Sequence, residues 1–236
     1  MKFNKETKMR RIVFDIETCA FPFNSLSESQ QEYLLRYAEK EADEKVKGIK
    51  VDDAIRYTSL YPFTAKLISI GIYDVDKEKS YIYYESEQTD EWISEKNVHY
   101  KGLSELEMLN SFWRIIEVTD QVISFNGRNF DAPFLMIRSA MNKVKPSKNL
   151  VSKKFDSAFH IDLLDQFTYF GLTRKFNLDF YCQAFCIESP KTKGISGMEV
   201  KNLYEAGRIK DIAVYCADDI YATYQLYKIW NEFLNV

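Results

Sequence analysis

Two carboxylates, Asp15 and Glu17, stand two residues apart in the short apolar segment RIVFDIET. The run is too brief for a helix and reads as a strand, where alternate side chains share a face. Like charges held there bare are costly. A hard divalent cation such as Mg²⁺ or Mn²⁺ is a natural compensation, because it takes carboxylates, water and phosphate oxygens as ligands. Alone, an Asp-x-Glu pair reads first as a solvated strand end. A second acidic position, Asp131, falls in FNGRNFDAPFLMIR, where a strand end, a polar turn with Gly127 and a helix start follow one another. Its plain alternative is a helix cap. The third element, YCADD, places Tyr215 and Asp219 four apart on one helix face, where the alternative is a core tyrosine beside a surface charge.

The elements that must position these groups can be read from periodicity. Arg11–Thr18, 66–75, 80–84, 121–125 and 160–164 predict five strands, with a hairpin at 76–78 joining the second and third. Ser104 and Glu107 have capping-box spacing ahead of an amphipathic helix, and helices are predicted from Asp131 to about Met141 and over 177–185, 198–206 and 211–234. Between the first two strands lies an insertion, residues 21–64, whose charged middle part predicts one surface helix. The order implies an α/β fold with a mixed five-stranded sheet flanked by helices.

Composition sets limits. A chain of 236 residues that is 46% hydrophobic, with 17 Phe and 16 Tyr, can bury one substantial core, so residues 1–236 are expected to form a single domain. A net charge of −3 argues against tight neutralisation of duplex phosphates, though carboxylates that bind cations lower the formal charge without repelling a phosphate once loaded. The four cysteines form no Cys-x-x-Cys pair and only His99 and His160 are available, which leaves few ligands for a zinc site and suits a reducing compartment. Cys182 and Cys186 read as two small residues on one helix facing the core, and His160 as a structural hydrogen-bonding group. The N-terminus MKFNKETKMRR runs into IVFDIET, too short and too acidic for a signal-peptide core or membrane span, so no membrane association and a cytoplasmic location are expected.

Taken together, FDIET, FNGRNFDAPFL and YCADD resemble the three motifs of the DnaQ-like superfamily of 3'-5' exonucleases in its tyrosine-containing, or DEDDy, form. That superfamily has a ribonuclease H-like fold. The histidine form carries its His five residues before the last Asp, where this chain has Val214. HIDLLD and NLDFYCQAFCI also look like the proofreading exonuclease domain of family B DNA polymerases and its free-standing bacterial relatives. The likeness spans most of residues 11–230. It departs at the 21–64 insertion and in lacking a polymerase domain.

The resemblance implies that Asp15, Glu17, Asp131 and Asp219 hold two divalent ions, Mg²⁺ or Mn²⁺, for phosphodiester hydrolysis. Tyr215 would orient the attacking water, and Asn126 and Phe130 would contact the terminal nucleotides, Phe130 being equally a core anchor. The implied partner is a nucleic-acid single strand or 3' end, DNA ahead of RNA, with oligomeric state left open. Arg138, Lys143, Lys145, Lys148, Lys153 and Lys154 form an acid-free stretch that would either guide a strand or be a solvated basic loop. The rival readings are a catalytically inactive nucleic-acid-binding protein of this fold and a ribonuclease H-like endonuclease.

Overall fold

Strand β1 (Arg11–Ala20) lies inside a seven-stranded mixed sheet of order β4-β5-β3-β2-β1-β6-β7. The other strands are β2 (Ala65–Asp74), β3 (Lys79–Glu85), β4 (Glu91–Ile93), β5 (Val98–Leu103), β6 (Gln121–Ser124) and β7 (His160–Asp162). The computed structural model describes residues 9–151, 155–189 and 199–236. The N-terminal MKFNKETK, Lys153, Lys154 and Met198 lie outside the described residues.

β1 pairs antiparallel with β2 and parallel with β6, and β7 continues parallel beyond β6. β2 and β3 form the expected hairpin. The sheet then extends by two strands beyond the five predicted: β5 runs parallel to β3, and β4 closes the edge antiparallel to β5. Residues 91–103 escape a sequence reading because β4 has only three residues and His99, Lys101 and Gly102 interrupt the apolar pattern of β5.

Each face of the sheet is covered. Ile12, Phe14 and Ile16 of β1 pack with helix α3 (Glu105–Glu117) and helix α4 (Asp131–Met141), through Leu109, Phe112, Phe134 and Leu135. The Ser104 and Glu107 capping box that starts α3 is present as predicted. On the opposite face, Val13, Ile82 and Tyr84 meet the long helix α8 (Ile209–Phe233) through Ala217 and Ile220. Asp15 and Glu17, in phase with Val13, therefore look toward α8.

The 21–64 insertion holds two helices rather than one, α1 (Glu28–Leu35) and α2 (Glu44–Tyr57). The Asp43 carboxylate accepts the Lys45 and Val46 N–H groups and so restarts the helix after the break. Among the described residues there are three shorter helices, α5 (Leu163–Phe167), α6 (Leu178–Ala184) and α7 (Val200–Glu205). β7 is shorter than predicted because Asp162 caps the Leu164 N–H and turns the chain into α5. Cys182 is buried in α6 as expected, whereas Cys186 falls beyond the helix end, left-handed and exposed. Among the described residues no helix is long and apolar enough to cross a membrane.

Candidate active site

The strand that carries Asp15 and Glu17 is held between α8 on one side and the turn before α4 on the other. Asp15 lies opposite Gly71 of β2. A Cβ on Gly71 would stand 2.8 Å from Ile220 Cγ2 and 2.9 Å from Cys216 Sγ, so only glycine lets α8 settle this close to the sheet. That approach lowers Asp219 onto β1. The register shifts between Glu17 and Thr18, and the Thr18 hydroxyl donates to the Ser59 carbonyl at 2.7 Å, which ties the strand to the insertion just past Glu17.

Asp15, Glu17 and Asp219 come together: one oxygen from each lies within 4.8 Å of the others, the one such group among the described residues. Glu17 is buried, and Asp15 and Asp219 are half-buried. The pKa values of Asp15 and Glu17 are raised well above the carboxylate range, first by burial and then by the neighbouring carboxylates. Neither makes an ion pair among the described residues.

Asp131 adjoins this group without belonging to its tight set. Its Oδ1 accepts the Ile16 N–H at 3.0 Å, bonding the start of α4 to β1 between the two acidic positions. Burial pushes its pKa up to about 7, against the lowering effect of its backbone hydrogen bonds, with Asp162 and Asp219 adding to the rise. Tyr215 is buried and hydrogen-bonded to Asp219. Burial and the carboxylates of Asp219, Glu17 and Asp15 raise its pKa far above the ordinary phenol value, so it stays a neutral O–H donor.

The turn carrying Asn126 and Phe130 is organised by a residue whose importance the sequence did not disclose. Asp162 accepts the N–H groups of Asn126 at 2.8 Å, Arg128 at 2.9 Å and Leu164 at 3.0 Å, fastening the turn to β7. Asn126, not Gly127, takes the left-handed conformation, with φ at 63°. Gly127 is needed instead for space, since its Cβ would meet Ser124 Cβ at 2.6 Å. The Asn126 side chain accepts from Asn129 Nδ2 at 3.0 Å. Phe130 is partly buried against the α3/α4 core, 5.7 Å from the Phe134 ring.

His160 is structural, as expected, with its two ring nitrogens bonded to Ser124 Oγ at 2.7 Å and the Leu150 carbonyl at 2.9 Å. Among the described residues of the basic stretch, two cations are committed within the fold. Arg138 is buried in a two-pronged pair with Glu105 at 2.8 and 2.5 Å, and Lys148 bonds the Thr119 carbonyl beneath the Phe159 ring; Lys143 and Lys145 are exposed.

The donor set fits a hard cation. It consists of carboxylate oxygens, and the nearby Cys216 has its thiol pKa raised by burial and by Asp15 and Glu17, which keeps it protonated and unsuited to ligation.

A family model described as a predicted 3'-5' exonuclease related to the exonuclease domain of PolB matches residues 65–233. No curated protein matches the sequence. Among solved structures, the family B DNA polymerase from the hyperthermophilic archaeon Pyrobaculum calidifontis superposes with a TM-score of 0.59 at 16% identity, covering 96% of this chain and 25% of that one. At that identity the likeness is one of fold, and this chain spans about a quarter of the polymerase. The family match starts at β2, leaving Asp15 and Glu17 outside it, while Asp131, Tyr215 and Asp219 lie within.

Proposed function

This chain belongs to the family of predicted 3'-5' exonucleases related to the exonuclease domain of PolB, and from that membership we propose that it removes nucleotides from the 3' end of a nucleic-acid strand, single-stranded DNA ahead of RNA, by metal-dependent hydrolysis. Residues 1–236 are read as one such domain with the 21–64 insertion. The observation that carries the proposal is the meeting of Asp15, Glu17 and Asp219 within 4.8 Å, where burial and neighbouring carboxylates discourage the charges of Asp15 and Glu17.

Asp15, Glu17 and Asp219, with Asp131 beside them, are assigned to hold two divalent ions, Mg²⁺ or Mn²⁺. When bound, such ions supply positive charge against the phosphate and the departing 3' oxygen and ease the ionisation of water. The remaining work falls to the protein. Asp131 fixes the start of α4 to β1 through the Ile16 N–H, keeping the acidic groups in register. Tyr215 cannot act as a base while its pKa is raised, so it is assigned to orienting the attacking water through its hydroxyl. Asn126 and Phe130 are assigned to the terminal nucleotides.

The test is direct. Purified protein is incubated with matched single-stranded DNA and RNA labelled at the 5' end, with Mg²⁺, Mn²⁺ or EDTA. The expected result is a ladder shortening from the 3' end, dependent on the cation and lost in Asp15→Ala. Internal fragments would instead indicate an endonuclease, and saturable binding without cleavage an inactive binding protein.

A further inference from the structure

Asp162, which caps helix α5, holds the Asn126 turn, and Asp165 of α5 faces Arg128 of the same turn at 3.7 Å. The loop that leaves this helix, residues 168–177, reads TYFGLTRKFN: rings interleaved with two cations and no acidic residue. Its backbone is unusual, because Tyr169, Phe170 and Gly171 are successively left-handed, with φ of 49°, 59° and 93°. Two ring-bearing residues in that region are strained. They are held by the Phe170 N–H donating to the Asp165 carbonyl at 2.7 Å and the Gly171 N–H to that of Thr168 at 3.1 Å.

The consequence of this turn is exposure. Phe170 packs on Phe155, ring centroids 5.2 Å apart, while Tyr169 and Leu172 face solvent at 59% and 86% exposure. Further along the chain Phe180, also exposed, stacks on Phe176 at 4.0 Å with planes 8° apart, and the Arg174 guanidinium lies 5.1 Å over the Phe176 ring. Arg174 and Lys175 are exposed and form no ion pair among the described residues. Exposed rings beside exposed cations match the bases and phosphates of an unpaired strand, whereas a duplex hides its base faces.

We propose that this loop is a second nucleic-acid contact, in which bases of a single strand stack on Tyr169 and Phe180 while Arg174 and Lys175 meet its phosphates. It rests on the exonuclease reading and extends it from the 3' end to the body of the strand.

The experiment measures binding without turnover, by fluorescence anisotropy of a 5'-labelled oligothymidylate with the full chain in EDTA across a salt series. Arg174→Ala/Lys175→Ala is expected to weaken binding and to flatten the slope of log affinity against log salt by about 1.4, the share of two phosphate contacts on a single strand. Lys40→Ala/Lys45→Ala on the insertion removes the same charge and is expected to leave the slope alone. Tyr169→Ala should lose about fivefold at fixed salt, and Tyr169→Phe should retain the wild-type affinity. If the loop variants match wild type in affinity and slope while the wild type trims strands with Mg²⁺, this proposal falls and the exonuclease reading stands. Loss of binding in the loop variants with no trimming by the wild type would uphold the contact and overturn the exonuclease reading. A wild type that binds no strand would overturn the contact and leave the loop as a surface for a protein.

Discussion

The two faces of β1 bury charge in opposite ways. On the α3/α4 face, Arg138 meets both oxygens of Glu105 and donates to the Pro62 carbonyl at 3.2 Å, while Glu105 also accepts the Leu67 N–H at 2.9 Å. Arg138 and Glu105 thus have their counterparts built into the chain. On the α8 face, Asp15 and Glu17 share their surroundings with further carboxylates, and the neighbours that act on them raise their pKa values. The same fold thus satisfies one buried charge completely and leaves another set strained within one strand's thickness. Such strain has a use where a ligand of opposite charge relieves it.

The largest effect should come from removing one member of the strained set. Asp219→Asn is expected to lower the rate of nucleotide release by a factor on the order of 10³, while the melting temperature in EDTA holds or rises because one repelling charge is gone. A variant that melts many degrees lower and still trims strands would break the comparison. On the other face, Glu105→Ala should cost about 3–5 kcal/mol in chemical denaturation, because Arg138 is left buried without its partner. Activity per folded molecule should persist. If this substitution proved neutral in stability, the Arg138 pair would not be the compensated half of the contrast.

His160 supplies a third way to bury a polar group, namely neutrality. Burial depresses its pKa to about 4. A base whose folded pKa lies below its unfolded value near 6.5 gives stability that is full above about pH 6.5 and lost as pH falls toward 4. The loss amounts to about 3 kcal/mol across that window, and His160→Gln should flatten this part of a denaturation series against pH. The carboxylates have the opposite sign. Their raised pKa values make the metal-free protein less stable as pH rises through the folded values. Mg²⁺ at about 100 times its dissociation constant should therefore restore roughly 2.7 kcal/mol at pH 7.5, read as a melting shift of several degrees. The shift should vanish in Asp15→Ala; if it survives, the cation binds elsewhere.

How legible each region was depended on how local its chemistry is. Asp15 and Glu17 could be read from alternation along a single strand, and the spacing of Tyr215 and Asp219 from a single helix turn. The α/β order followed from periodicity for the same reason. What stayed hidden depends on contacts between distant residues. Nothing in the sequence near Arg138 announces Glu105 on another helix, so a basic stretch looked continuous when two of its cations are committed elsewhere. Asp162 stands out in no local pattern, yet its three backbone hydrogen bonds shape the Asn126 turn. Gly71 gave no signal, because the need for glycine arises only when α8 lies across β2. β5 was hidden by a half-polar pattern that makes sense only beside β3 and β4.

The smallest effect expected sharpens the contrast most. Tyr215 borders the strained carboxylates and donates its hydroxyl to Asp219, but its ring is packed in the α8 face and contributes burial independently of that bond. Tyr215→Phe removes the oxygen and keeps the ring. Rate should fall about tenfold, the worth of one hydrogen bond to a charged group. The Mg²⁺-dependent melting shift should stay close to wild type, since no proposed ligand is lost. Equal losses in both readouts would make Tyr215 a support for Asp219 rather than a group that positions water. An unchanged rate would remove it from the reaction and leave the carboxylates to act without it.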